Sequence, residues 1–302
     1  MGTNADVPGI APFPCRYHDD LISPDYFRDH KNLFPQAYCR GEQMARLAMD
    51  LAAGKTDRLA VFPPDYVVEA EAFGRRVGGY DDSLGPRITG AKAGSLAALS
   101  ALTPPGPDSG RIPAVLQAVG TAGRNGFIPC LRVTGFFSFL EMILPLTQVF
   151  KAWRRQDSQL MEFVWEYGRF LNWYISEGLA AGARIVSYSD PLTGLEVVGR
   201  NTACSIAEIL LIPFLKSLSG LRGPGIIHVC GVSTDVLRCS PEAECLEEPV
   251  PVNMSYTQYL LHVSGARPEL IFYGNNCLHH GDSIRTAYRI GFAEPSVDHL
   301  GG

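Results

Sequence analysis

The sequence lacks what would direct it to nucleic acid, to a membrane or to a secreted disulfide scaffold. It has no run rich in lysine or arginine, and its net charge is -5, so it carries no electrostatic footprint for a polyanion. No stretch reaches the ~18 uninterrupted apolar residues that a membrane span needs. The closest, Ile206 to Leu218, holds Glu208 and Lys216 and reads as a core helix. Residues 1–14 have neither a basic nor an apolar signal-peptide region, so the expected location is cytoplasmic. Eight cysteines in 302 residues do not make a dense disulfide framework. They are expected as thiols, most of them small buried side chains. The chain also has no P-loop, no Gly-x-Ser-x-Gly elbow and no His-Glu-x-x-His motif.

What is present is ordinary globular composition, 46% hydrophobic and 19% charged. Residues 1–38, rich in proline, aspartate and aromatics, read as an irregular lead segment, and residues 39–302 as one domain. Gly41 to Gly54 is a helix, with Met44, Leu47, Ala48 and Leu51 on one face and Gly54 as its stop. Short apolar runs then alternate with helical patterns. Seven runs are expected as strands: 58–62, 86–89, 127–133, 184–188, 225–229, 250–253 and 270–273. The stretches 66–73, 95–102, 109–122, 148–181, 204–218, 234–239, 256–264 and 282–290 are expected as helices. That alternation implies parallel strands joined by helical crossovers. The expected fold is a (β/α)8 barrel with its active residues at the C-terminal strand ends. A doubly wound sheet is the rival, and it loses because no glycine-rich phosphate loop follows the first strand.

Polar residues collect at these strand ends. Asp65 follows the first run, Asp190 the fourth, His228 and Cys230 the fifth, Asn253 the sixth, and Asn275, Asn276 and Cys277 the seventh, with His279 and His280 just beyond. An aspartate after a strand is commonly a helix cap or turn residue, so each is individually ambiguous. His228-Val229-Cys230 is the sharpest pattern. An imidazole and a thiol two residues apart on an extended segment point to the same side, and this soft pair suits zinc better than magnesium or calcium. Cys277 is the best local third ligand, with His279 and His280 as alternatives. The competing reading makes His228 a satisfied core histidine and Cys230 a small apolar filler. Phe136, Phe137 and Phe139 fit either an aromatic substrate or plain core packing.

From about Pro63 to Gly291 the chain resembles the uroporphyrinogen decarboxylase superfamily, most closely its corrinoid-dependent methyltransferase branch. The resemblance is carried by PPDYVVEAEAFG (63–74), GRIPAVLQAV (110–119), VTGFFSFLEMIL (133–144), EGLAAGARIVSYSDPLTG (177–194), IIHVCGVSTDVL (226–237) and FYGN (272–275). It implies an α/β barrel of the (β/α)8 TIM type with its site at the C-terminal mouth, and zinc held by a His-x-Cys pair and a later cysteine. The pair falls on His228 and Cys230. The later cysteine belongs to an eighth strand, where Ala293 to Gly302 is short and polar, so that strand is expected to be missing or atypical and Cys277 is the stand-in. Asp65 matches the decarboxylase's catalytic aspartate. The basic Arg-Gln-Ala-Gly-Arg-Tyr signature that handles porphyrinogen carboxylates is absent.

The resemblance therefore implies zinc-assisted methyl transfer between methylcobalamin on a separate corrinoid protein and a small thiol or methyl ether. The Asp-x-His-x-x-Gly pattern for carrying a corrinoid is absent, and Asp298-His299-Leu300-Gly301 does not satisfy it, so the corrinoid arrives on a partner. Zinc would act as a Lewis acid, with Asp65 or Asp190 orienting a ligand or the substrate. Tyr66, Asn201 and Asn253 are the expected pocket-lining residues. Two alternatives stand beside this: a metal-free decarboxylase or pterin-dependent methyltransferase, and a non-catalytic subunit that docks a corrinoid protein. A barrel without its last strand also leaves room for a second copy of the chain.

Overall fold

The computed structural model describes residues 22–81, 84–221, 223, 225–265, 269–279 and 281–293. Cys15, His280 and the tail after Ala293 lie outside them. The described strands are β1 (Leu59–Phe62), β2 (Val77–Gly78), β3 (Arg87–Ile88), β4 (Ile128–Thr134), β5 (Ile185–Ser189), β6 (Gly225–Val229), β7 (Ala243–Pro249), β8 (Leu270–Gly274) and β9 (Thr286–Phe292). Seven of them form one sheet in the order β1-β4-β5-β6-β8-β9-β7. The first five in that order are parallel, while β9 runs antiparallel to both β8 and β7.

The parallel strands are near-continuous apolar runs because both of their faces are covered. One face, with Phe62, Leu131, Val133, Val186, Ile227 and Val229, packs in a large core with the helices Ile112–Arg124, Ser158–Ala180 and Ile212–Leu218. The opposite face, with Leu59, Cys130, Ile185, Ile226 and Ile271, packs on Tyr256, Tyr259 and Leu260 of the helix Tyr256–Gly265. This mostly parallel α/β sheet is the architecture expected of the barrel, and its atypical part is the antiparallel continuation through β9 and β7.

Some local expectations are corrected. Residues 282–290 are not helical; Thr286, Tyr288, Ile290 and Phe292 are β-formers, and they build β9. Residues 250–253 form a turn, with Asn253 at φ 65°. Residues 86–89 pair with β2 in a separate two-stranded sheet. β7 (AECLEEP) escaped prediction because three glutamates and a proline suit only an edge strand. The lead segment is less irregular than expected, with short helices at Pro24–Asp29 and Gln36–Cys39. Arg200–Leu218 is long and apolar enough to cross a membrane, but half of it is buried in the fold, as for a core helix. Among the described residues no disulfide forms.

Candidate functional site

Register builds the site in layers. Cys130, Ile185, Ile226 and Ile271 are successive partners across β4, β5, β6 and β8 and form an apolar floor. Two residues further along, Arg132, Ser187, His228 and Tyr273 are again successive partners. The same side of each strand thus switches from apolar to polar toward its C-terminal end. One step beyond, Thr134 pairs with Ser189, and the Cys230 N–H donates to the Tyr188 carbonyl at 3.0 Å. Arg132, Thr134, Ser187, Ser189, His228 and Cys230 line a cavity of about 600 Å³. Met142, Leu192, Val232 and Leu278 supply apolar wall, and Cys277 and His279 reach it from the segment after β8.

His228 is 3% exposed. Its Nδ1 lies 3.1 Å from the Tyr256 hydroxyl, and the two rings meet edge to face. Burial, helped by nearby His279, drives its pKa down to about 3, so the imidazole is neutral at working pH. The Cys230 sulfur contacts the Ser233 hydroxyl at 3.3 Å. Cys277 is buried. The cavity therefore gathers soft donors of the kind zinc takes. Among the described residues, however, no three His, Cys, Asp or Glu side chains form a group that could hold a metal ion. Among these residues three ligands do not converge.

The other expected site residues separate. Tyr66 lines the cavity. Asp65 does not: it is buried in a bidentate pair with Arg111, at 2.6 and 3.0 Å, and also accepts the Val67 N–H. Arg111 in turn holds Glu71 and the Tyr38 carbonyl, so this carboxylate fastens the lead segment to the barrel. Asp190 is fully buried just behind the cavity. It accepts from the N–H groups of Phe137 and Ser138 and from the Ser138 hydroxyl, at 2.7–2.9 Å, which caps the helix Phe136–Glu141. The contact requires Gly135, where a Cβ would meet the Asp190 Cβ at 2.2 Å. Burial pushes the Asp190 carboxyl up to about 6 against the pull of these donors. Asn201 and Asn253 are exposed and off the cavity wall. Asn253 holds a left-handed turn position, which asparagine tolerates. Asn275, with φ 51°, is a buried turn residue whose N–H donates to Thr234 Oγ1, while its neighbour Asn276 lines the cavity. Phe136, Phe137 and Phe139 are core residues.

Sequence reasoning missed Arg132, Ser187, Ser189 and Ser138. Arg132 is 7% exposed. Its guanidinium lies over the Tyr66 ring, 3.7 Å from the centroid, and donates to the Tyr66 hydroxyl at 2.6 Å and the Pro63 carbonyl at 2.7 Å. A signal was there: an arginine inside the otherwise apolar run I-P-C-L-R-V-T is expensive to bury without purpose. Ser187 and Ser189 alternate within IVSYS, the period that puts both on one face.

A family model for uroporphyrinogen decarboxylase (URO-D) matches residues 24–246. Among solved structures the chain is similar to a methyltransferase from Methanosarcina mazei, at 17% identity and a TM-score of 0.58, over 74% of this chain and 67% of that one. At that identity the likeness speaks for the fold alone. No curated protein matches.

Proposed function

The chain belongs to the uroporphyrinogen decarboxylase family, and from that premise we propose that it transfers a methyl group between a separate corrinoid protein and a small thiol or methyl ether held in the cavity. Family and fold support an enzyme of methyltransferase or decarboxylase type. The observation that carries the finer reading is that His228, Cys230 and Cys277, without converging as a ligand set, all line one small cavity at the C-terminal ends of parallel strands, where barrels place their chemistry. The corrinoid, when its carrier protein docks, supplies or accepts the methyl group at cobalt.

The chain's own residues bind and orient the small partner. Met142, Leu192, Val232 and Leu278 exclude water from an apolar body, and the hydroxyls of Ser138, Ser187 and Ser189 offer hydrogen bonds along one side. His228 stays neutral, and Cys230 sits beside it at the end of β6. Holding the small partner in one orientation reduces the entropic cost of the transfer.

The test is spectroscopic. Methylcobalamin and reduced cobalamin are each incubated with the chain and a panel of thiols and methyl ethers, and the cobalt spectrum is followed. Turnover lost on Cys230→Ala supports the proposal. No turnover with any pair, together with release of carbon dioxide from a carboxylate substrate, moves the chain to the decarboxylases.

A further inference from the structure

The hydroxyls of the cavity wall divide by where their hydrogens go. On β5, Val186 and Tyr188 turn into the large core, and the alternation of an extended strand turns Ser187 and Ser189 to the cavity. Among the described residues neither of these two hydroxyls has a hydrogen-bond partner, and neither is sealed from open space. Each has a hydrogen to give. Ser138 also lines the cavity, but its hydroxyl donates to Asp190 Oδ1 at 2.7 Å. Thr134, the register partner of Ser189, has its hydroxyl 3.1 Å from the Glu69 carboxyl and 3.3 Å from the Tyr66 carbonyl. With their hydrogens committed to buried acceptors, the Ser138 and Thr134 oxygens have only lone pairs left for a ligand.

The two kinds meet in one corner. Adjacent strands lie about 4.8 Å apart, so Thr134 and Ser189 stand side by side at the ends of β4 and β5. Asp190 follows Ser189 in the chain and holds Ser138 through both its N–H and its hydroxyl. A hydroxyl with a hydrogen to give is thus set beside two oxygens that can only accept. A neutral O–H suits both: its oxygen accepts from one side and its hydrogen goes to the other. Charge narrows the choice further. The buried carboxyls of Asp190 and Glu69 back the two accepting oxygens, which disfavours an anion there. Arg132, two residues before Thr134 on the same side of β4, keeps its positive charge, which disfavours an ammonium group. Met142, Leu192 and Leu278 surround the rest of the space with apolar wall.

We propose that this corner selects a small neutral alcohol on an apolar body, with Ser189 donating to the alcohol oxygen and Ser138 accepting the alcohol hydrogen. The substrate then carries a hydroxyl in addition to its reacting group. The inference rests on the reading of this cavity as the substrate site, and it holds whether the chemistry is methyl transfer or decarboxylation.

The probes are cyclohexanol, cyclohexanone and cyclohexylammonium. They share one ring and carry neither a methyl ether nor a thiol, so binding is read without turnover. Nuclear magnetic resonance titrations of the full chain should give binding about tenfold tighter for the alcohol than for the ketone, which can only accept, or for the ammonium ion. Ser138→Ala should bring the alcohol down to the level of the ketone and leave the ketone unchanged. Ser189→Ala should weaken both. Ser138→Thr keeps the hydroxyl and should restore the preference, with circular dichroism confirming that each variant folds. Equal affinity for alcohol and ketone, tighter binding of the ammonium ion, or no binding of any probe overturns the proposal. So does a Ser138→Ala variant that keeps the preference or loses all three probes alike, as mere loosening of the Asp190 cap would do. Unchanged affinities in Ser189→Ala overturn it independently. None of these readouts depends on methyl transfer, so a silent methyl-transfer assay leaves the proposal standing, and its own failure leaves that assay untouched.

Discussion

Asp65 and Arg111 bury opposite charges against each other, with Glu71 on the other side of the guanidinium. Removing one member of such a pair strands the other in a low-dielectric site, which costs on the order of 3–5 kcal/mol. Asp65→Asn should therefore lower the urea midpoint sharply while leaving binding in the cavity nearly unchanged. A variant that keeps its stability but loses turnover would restore Asp65 to the chemistry. Asp190 gives a second test through pH. Its folded pKa of about 6 lies above the usual 3.8, so its contribution is full below pH 4 and is lost as pH rises through 6. A carboxyl raised that far contributes about 3 kcal/mol. The stability difference between the natural chain and Asp190→Asn should fall by that order from pH 4 to pH 7 in urea titrations, and a rise over the same range sinks the assignment. Both aspartates were legible as polar residues at strand ends. Their partners were not, because Arg111 and the N-terminus of Phe136–Glu141 come from distant segments that only folding brings near.

At the scale of elements, the antiparallel continuation of the sheet is pinned by Glu248. Its carboxylate accepts from Tyr259 at 2.9 Å, from Tyr273 and from Arg289 Nε at 2.7 Å, joining β7, β8, β9 and the helix Tyr256–Gly265. Burial raises its pKa, but the bonds from Tyr273, Arg289 and Tyr259 outweigh that and hold it below the usual glutamate value. A lowered carboxyl stabilises above its unfolded pKa, and the effect is lost as pH falls through the folded one. Glu248→Gln should cost about 1–2 kcal/mol at pH 7, allowing for partial solvent screening, and the difference in thermal midpoint should shrink toward zero below pH 4. A constant difference across that range would mean that charge has no part in it. The contrast between strands shows what a sequence carries. β4, β5, β6 and β8 were legible because strands covered on both faces must be apolar throughout. β7 and β9 were not, since an edge strand and its neighbour mix charge with β-formers and imitate loops and helices.

Over the whole molecule, the cavity is assembled from two parts of the chain. The family match ends at residue 246, yet Asn276, Cys277, Leu278 and His279 complete the wall from beyond it. The site was half legible on both sides of that limit: His228, Cys230, Asn276, Cys277 and His279 stand out as polar residues just past apolar runs, whereas Arg132, Ser138, Ser187 and Ser189 are hidden within or beside those runs, and only the strand register turns them to the cavity. Thiol chemistry can read that geometry across the entire fold. Cys39 is exposed and off the cavity wall, beside the Arg111 cluster. Cys239 and Cys245 lie away from the wall, and burial pushes each to about 11, so little thiolate forms there at pH 8. Alkylation with iodoacetamide at pH 8, mapped by peptide mass spectrometry, should leave Cys239 and Cys245 largely unmodified. Adding a saturating cavity ligand should slow Cys230 several-fold and leave Cys39 unchanged. Equal protection of Cys39 and Cys230 would mean that the ligand acts through global stabilisation, and that Cys230 does not share a wall with it.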